Sequence, residues 1–189
     1  AQDELRYRIP HELFLRPDQT TFTFRNPMDQ TALPIRSWGA FMPPNGVGGG
    51  GVHWNAETWC FLPTDFMLRT HLTERYGAGF LPQDMTIQDW GVTYDDLEPH
   101  YDQFEYLCGT CGTAGNLKGQ IQQGGNPFEG PRSRPYPNPP QKQGFGHTLW
   151  GKAAAELGYK PFPQPSGNMS RPYVNPLGVR QGPCTYCGY

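Results

Sequence analysis

The amino-acid sequence predicts a loop-rich α+β fold with few helices and short strands. Its 189 residues contain 24 glycines and 21 prolines, which interrupt regular elements and lengthen the connections between them. Aromatic residues make up 14% of the chain, whereas disordered chains are poor in them. Strands and helices do not alternate, so a doubly wound parallel sheet is not predicted. We therefore expect long ordered loops held in place by buried rings.

The N-terminal part of the chain predicts one helix and one strand. The helix is expected in QDELRYRIPHELFL, residues 2–15, where Pro10 interrupts it. In TTFTFRN, residues 20–26, Phe22 and Phe24 alternate with threonines. This period of two is typical of a short, half-buried strand.

A helix is next predicted in LPTDFMLRTHLTERYG, residues 62–77. Thr64 or Asp65 is expected as its N-cap, directly after Pro63. Gly77 is expected just past its last residue, because glycine adopts the left-handed backbone conformation that ends many helices.

The strongest helix signal lies in TYDDLEPHYDQFEYL, residues 93–107. Thr93 is a suitable N-cap because Asp96 follows three residues later, as in a capping box. Pro99 lies near the first turn, where a missing N–H group costs little. Apolar residues spaced three or four apart predict a face toward the core, formed by Leu97, Tyr101, Phe104 and Leu107 or Cys108.

The chain after this helix is predicted to be mostly loop. The segment GGNPFEGPRSRPYPNPPQKQGFG, residues 124–146, supports neither a helix nor a central strand. One more helix is predicted in HTLWGKAAAELG, residues 147–158, and Gly158 stops it. The residues expected to face inward on it are Leu149, Trp150, Ala153 and Leu157. A structureless loop of this length predicts that the chain is the middle of a larger fold.

Charge and hydropathy exclude two classes of function. The formal net charge is -2 and the basic residues are scattered, so the chain offers no basic stripe for a nucleic acid. No apolar run approaches the roughly 18 to 20 residues that span a bilayer, and no transmembrane segment is expected in this chain.

Four consecutive glycines, Gly48–Gly51, precede a short polar and aromatic stretch. Glycine adopts positive φ easily and lets bare N–H groups approach a ligand where a Cβ would collide, as phosphate and dinucleotide sites require. The sequence has neither GxGxxG after a strand nor GxxxxGK[ST], so the run alone also fits a flexible surface turn. His53 is open between a metal ligand, a general base, a covalent attachment point and a packed residue, whereas His71, His100 and His147 are expected to be structural or solvent-facing.

The five cysteines include two CxxC pairs. Such pairs are typical of zinc sites, iron–sulfur sites and dithiol redox chemistry. Cys108 and Cys111 are expected to be ordinary buried or loop thiols. Cys184 and Cys187 are the stronger candidates for a metal, because further thiolates could follow them.

Several longer segments resemble the glucose-methanol-choline (GMC) flavin oxidoreductases, especially the bacterial sugar-alcohol and gluconate dehydrogenase branch. In order and rough spacing they cover most of residues 38–189. The segments are VGGGGVHWNAETWCFLPTDF, DWGVTYDDLEPHYDQFEYLCGTCGTAGN, FGHTLWGKAAAELGYKPFP, SRPY and GPCTYCGY. The resemblance implies a fold around FAD, with a Rossmann-type domain and a second domain whose antiparallel sheet covers the substrate. Residues 1–62 are then expected in the FAD-binding domain, and residues 63–189 in the substrate domain and the domain interface.

The resemblance also implies roles for single residues. The loop that passes the pyrophosphate of FAD is matched by Gly48, Gly49, Gly50 and Gly51. Asn55 and Ala56 match the residues nearest the flavin ring. His53 resembles the histidine of pyranose oxidases that is bonded covalently to the flavin. Trp54 and Trp59 are expected beside the ring system or the substrate, with plain core packing as the alternative.

The implied function is hydride transfer from a CH–OH group of a sugar, polyol or sugar acid to the flavin. CTYCG resembles cysteine-rich stretches of multi-subunit members, which implies an iron–sulfur cluster at Cys184 and Cys187 and an electron-transfer subunit or cytochrome as a partner. In that family the protein would be periplasmic or membrane-associated. The family's N-terminal GxGxxG unit and C-terminal His-Asn or His-His pair are not found in this sequence, so we expect an internal segment, inactive alone, with no catalytic residue of its own.

Two other interpretations of the sequence stay open. One is a non-catalytic Gly/Pro-rich module that serves as a scaffold or binds carbohydrate through its tryptophans. The other is a fragment that binds a metal or an iron–sulfur cluster through Cys184 and Cys187.

Overall fold

The computed structural model describes residues 23–25, 29–34 and 47–186. The chain divides into two compact units, Ala1–Asn55 and Ala56–Tyr189. The described residues form a mixed, loop-rich fold with four α-helices and three antiparallel pairs of two-residue strands. This agrees with the few helices and short strands expected from the glycine and proline content. None of the described helices is long and apolar enough to cross a membrane.

The first unit contains one strand pair and the glycine run. Strand β1 (Thr23–Phe24) lies antiparallel to β2 (Leu33–Pro34), which confirms strand structure at Phe24. The expected helix over residues 2–15 and the predicted strand residue Phe22 lie outside the described residues.

Two short helices occupy the segment in which one helix is predicted. They are α1 (Pro63–Phe66) and α2 (Leu68–Tyr76), and the chain breaks between them at Met67. The predicted N-cap is wrong, because Leu62 caps α1 and Pro63 is its first helical residue. Asp65 lies in the first turn, where its carboxylate accepts a hydrogen bond of 2.7 Å from the Leu62 N–H. Helix α2 ends before Gly77, as predicted.

Helix α3 (Tyr94–Cys108) begins as its sequence predicts. Thr93 caps it, and Asp96 accepts a 2.8 Å hydrogen bond from the Thr93 N–H in return. Pro99 lies inside the helix without ending it. Gly109 ends it in the left-handed region, at φ 71°. Local chemistry alone therefore sets both ends of the longest helix.

The predicted apolar faces are only partly correct. On α3, Phe104 is 48% exposed, whereas Glu105 beside it is 1% exposed. On α4 (Phe145–Glu156) Leu149, Trp150 and Ala153 are exposed, as is Leu157 directly after the helix, although all four were expected to face inward. Ala154 is the buried position of α4. Periodicity identifies an apolar face, but a face is buried only where another segment packs against it. The described part of the second unit provides no such segment for Leu149 or Leu157.

The long loops contain two small hairpins. Strand β3 (Asn116–Leu117) pairs with β4 (Gln120–Ile121) across a two-residue turn whose residues, Lys118 and Gly119, both have positive φ. This is the turn that matches the twist of a tight hairpin. Strand β5 (Tyr173–Val174) pairs with β6 (Arg180–Gln181).

Backbone pairing orders the loops between these elements. Cys111 exchanges two hydrogen bonds with Ser166, of 2.7 and 2.9 Å between N and O. The side chain of Asn138, which is 1% exposed, donates to the Gly109 carbonyl at 2.6 Å and accepts from Arg171 at 3.0 Å.

The segment over residues 124–146 has the loop character predicted for it up to Gly144, the N-cap of α4. Its order comes from buried hydrogen bonds and from the buried ring of Tyr94, which lies against Gly130. The segment's own Phe128 is 70% exposed, so the expectation of buried rings is only partly correct.

Two glycines allow the loop backbone to cross itself. An added Cβ at Gly115 would overlap the backbone of Asn126, and one at Gly125 would overlap that of Ala114. A side-chain rotation cannot relieve either overlap, because the added Cβ would meet backbone atoms of the facing segment. Glycine is therefore required here for close packing of two chain segments.

We expect Gly115→Ala to destabilise the protein strongly, because overpacking against fixed atoms typically costs about 1–3 kcal/mol or more. The matched control is Gly79→Ala, since an added Cβ at Gly79 meets nothing within 4 Å. Chemical denaturation of the full-length protein measures both. Equal stabilities of the two variants would show that the crossing is not tightly packed.

Candidate functional site

The glycine run forms a single 3-10 turn. Its helix spans Gly49–His53, and it follows Gly48. Gly48 and Gly49 have φ values of 92° and 50°, a region that residues with a Cβ rarely adopt. The Gly51 N–H donates to the Gly48 carbonyl at 3.0 Å. The expectation that this run uses positive φ is confirmed at its first two glycines.

Gly51 requires a different explanation. Its φ lies outside the positive range, and a Cβ added to it would meet nothing within 4 Å. Neither backbone conformation nor contacts within the described residues therefore demand glycine at this position. Glycines outside the run, such as Gly79 and Gly91, are equally open, so open space alone does not mark a ligand site.

The residues after the run divide between the two units. Trp54 is 46% exposed and Asn55 is exposed. The side chain of His53 lies outside the described part of the chain. Ala56, the first residue of the second unit, is buried and has a φ of 62°. Its carbonyl accepts a 2.7 Å hydrogen bond from the Gly167 N–H, which holds it in this unfavourable conformation.

A buried polar cluster includes Cys60, four residues after Ala56 in the chain, and three residues from later segments. Glu105 on α3 forms an ion pair with Arg132, and their side chains are 2% and 3% exposed. The Cys60 thiol donates to the Glu105 carboxylate at 3.4 Å. The ring of Tyr136 stacks against the Arg132 guanidinium, 3.9 Å from ring centroid to Cζ. We refer to these four residues as the Arg132 cluster.

The pKa values in the Arg132 cluster follow from burial. Burial raises the pKa of the Glu105 carboxyl, while Arg132 opposes this shift by charge and hydrogen bonding. Burial lowers the pKa of Arg132, but Tyr136 and Glu105 more than offset it, and the pKa is raised overall. Burial, and then the nearby Glu105 charge, raises the pKa of the Cys60 thiol to about 12. The thiol is therefore protonated at neutral pH and suits a hydrogen-bond donor rather than a nucleophile.

The remaining cysteines show no metal site among the described residues. Cys60, Cys108, Cys111 and Cys184 are all free thiols. Burial raises the pKa values of Cys108 and Cys111, as expected for ordinary thiols. Within residues 23–25, 29–34 and 47–186, no group of three or more histidine, cysteine or acidic side chains could hold a metal. Cys187 lies outside the described residues, so the pair that it forms with Cys184 stays a prediction.

A surface groove of about 610 Å³ lies in the second unit, beside α4. It is lined by residues between His147 and Lys152 of that helix, by Gln141, Lys142 and Gln143 before it, by Gly124, and by the segment over residues 161–164. We refer to it as the α4 groove. Apart from Gly124, its lining residues all lie within residues 141–164, but they follow no motif that the sequence analysis identifies. Trp59 is not among its lining residues; it is 51% exposed and packs edge-on against Phe162, which lines the groove.

The chain has no match among protein-family profiles, but three curated proteins are similar to it. It is 43% identical over 190 residues to the gluconate 2-dehydrogenase flavoprotein of Pantoea cypripedii, which covers 99% of this chain and 31% of that protein. It is 34% identical to the fructose dehydrogenase large subunit of Gluconobacter japonicus, over 68% of this chain and 20% of that protein. A 6'''-hydroxyparomomycin C oxidase of Streptomyces lividus is 29% identical over 63% of this chain and 18% of that protein. The chain thus spans less than a third of each relative.

The first site prediction concerns the ion pair. We expect Arg132→Met to lower the free energy of unfolding by about 3–5 kcal/mol, because Glu105 would be left buried without its partner. Arg134→Met is the control, since Arg134 forms an ion pair with Asp102 but is 49% exposed, and exposed pairs contribute about 0–1 kcal/mol. Denaturant titration of the full-length protein measures the free energy of unfolding of the wild type and of both variants. Similar losses in both variants would contradict a special role for the buried pair.

The second site prediction concerns pH. The pKa of the Cys60 thiol rises from 9.0 to about 12 on folding, so its contribution to stability is complete below pH 9 and is lost as the pH rises toward 12. Between these values the free energy of unfolding should fall more steeply in the wild type than in Cys60→Ala. Burial also raises the pKa values of Tyr94 and Tyr136, but both tyrosines are present in the two proteins that are compared. Parallel curves for the two proteins would refute the shift at Cys60.

Proposed function

We propose that this chain is an internal part of an FAD-dependent oxidoreductase of the GMC type. The proposed reaction oxidises a CH–OH group of a sugar, a polyol or a sugar acid. The observation that carries the proposal is the similarity to a gluconate 2-dehydrogenase flavoprotein over nearly the whole chain. The similarity to a fructose dehydrogenase large subunit supports the same substrate class.

The glycine run supports the binding of FAD. Gly48 and Gly49 shape the turn, and Gly51 leaves a bare backbone where the described residues give no other reason for glycine. Gly50 would lie in the same loop against the pyrophosphate, with Asn55 and Ala56 nearest the flavin ring. The positive φ and burial of Ala56 fit a tightly held position at that point. Trp54 would pack beside the ring system.

The two parts of the chain would have different tasks. Residues 1–62 would belong to the FAD-binding domain, and residues 63–189 to the substrate domain and the domain interface. Bound FAD would supply the acceptor for the hydride that leaves the substrate carbon. The residues of this chain would bind and orient the cofactor and exclude water from its surroundings, and none of them is assigned to removing the hydroxyl proton.

Electrons would leave the reduced protein through an electron-transfer subunit or cytochrome. The name of the fructose dehydrogenase relative, a large subunit, supports an assembly of several chains. A cluster at Cys184 and Cys187 would belong to such a route. Metal analysis of the full-length protein tests it, and iron at background level would exclude a cluster.

The flavin proposal makes a direct prediction. The full-length protein should be yellow and should contain one flavin per chain. Gly51→Leu should lower this flavin content, because the new side chain would occupy the cofactor's place. Gly79→Leu is the control, since space is also open around Gly79. Flavin absorbance per chain and thermal stability are measured for both variants. A colourless wild-type protein would favour the non-catalytic binding module, and normal flavin content in Gly51→Leu would remove the loop from the site.

The proposed covalent bond to His53 has its own test. After acid precipitation of the full-length protein, flavin should remain with the peptide that contains His53, and His53→Ala should release it into the supernatant. Flavin that is wholly soluble in the wild type would disprove the bond without affecting non-covalent FAD binding.

A further inference from the structure

The α4 groove has the size of a small-ligand site. Its volume of about 610 Å³ falls within the roughly 300–1,000 Å³ typical of pockets for small molecules. All its lining residues belong to the second unit. One wall is formed by Pro161, Phe162 and Pro163. The rings of the two prolines fix the backbone φ angle on either side of Phe162. Phe162 is also held by edge-on contact with Trp59, at 6.0 Å between ring centroids.

The charge of the groove favours an anion. Lys142, Lys152 and His147 line it, and no aspartate or glutamate is among its lining residues. Within the described part of the chain, neither lysine forms an ion pair. This contrasts with Arg132 and Arg134, which are both paired with carboxylates. Two unpaired ammonium groups in one concave surface can bind a carboxylate by charge-assisted hydrogen bonds.

The other lining residues favour a ligand rich in hydroxyl groups. Gln143 and Gln164 supply donors and acceptors at the groove. The Thr148 hydroxyl donates to the Gly144 carbonyl at 3.2 Å and offers a ligand only an acceptor. Trp150 lies beside them and is 68% exposed, so its ring offers a flat apolar surface with a polar edge. The side chain of Gln141 is already engaged, since it donates to the Asn168 carbonyl at 2.5 Å.

We propose that the α4 groove is a binding subsite for a sugar acid. Its carboxylate lies between Lys142 and Lys152, its hydroxyl groups bind Gln143 and Gln164, and its carbon chain lies against Trp150. The choice of a sugar acid rests on the proposed function, whereas the preference for an anion rests on the lining of the groove. A neutral polyol of the same length lacks the carboxylate and binds more weakly.

The test measures binding rather than turnover. Equilibrium dialysis of the full-length protein with labelled gluconate or labelled sorbitol gives the two dissociation constants. The solution is anaerobic and the protein is kept reduced, so that no substrate is consumed. The variants are Lys142→Gln/Lys152→Gln and Trp150→Ala, and the control is Lys160→Gln, an exposed lysine outside the groove.

The inference predicts that both groove variants weaken gluconate binding about tenfold or more, while Lys160→Gln changes it less than twofold. Sorbitol binds more weakly than gluconate in the wild type, and the double lysine variant leaves its affinity unchanged. Unchanged gluconate affinity in the groove variants overturns the proposal, as does equal affinity for the two ligands. Thermal stability close to the wild type verifies that these exposed substitutions leave the fold intact.

This outcome is separable from that of the oxidoreductase proposal. Gluconate binding that depends on Lys142, Lys152 and Trp150 in a protein without flavin would support the groove and refute the oxidoreductase. A yellow protein whose gluconate affinity is unchanged by these substitutions would support the oxidoreductase and refute the groove.

Discussion

The second unit depends on keeping two buried charges together. Glu105 and Arg132 are almost fully removed from water, and either charge alone would be costly in that environment. Their pairing joins helix α3 to the long loop, and the contacts of Cys60 and Tyr136 add the segment that follows the glycine run. Separate stretches of chain, poor in regular structure, are thereby fixed to one point.

This anchoring explains how a loop-rich chain can present a defined site. The segment after Asn55 is tied at Ala56 by the Gly167 N–H and at Thr58 by the Pro165 carbonyl, and at Cys60 by the Arg132 cluster. A ligand site gains from such support, because residues held in one conformation lose little entropy on binding. In the proposed function the glycine turn would supply the bare backbone beside the cofactor. Within the second unit, helix α4 and the segment over residues 161–164 line the α4 groove.

The sequence predicts features that depend on neighbouring residues and fails for those that depend on distant ones. The Thr93 cap, the end of α2 at Gly77 and the positive φ of the glycine run follow from local chemistry. The burial of Glu105 could not be predicted, since its partner Arg132 lies far along the chain. The prediction that one face of α4 is buried was wrong, because periodicity does not show what packs against a helix. The groove was missed because its lysines and glutamines follow no recognisable motif, and the cavity forms only where the segment over residues 161–164 lies beside α4.

We propose that this chain belongs to a flavoprotein that oxidises sugars or sugar acids, and the visible spectrum of the full-length protein tests this as gluconate, fructose or sorbitol is added without oxygen. We expect at least one of these compounds to bleach the flavin absorbance, and a readmitted electron acceptor to restore it. A protein that carries no flavin, or whose flavin spectrum is unchanged by all three compounds, would refute the proposal.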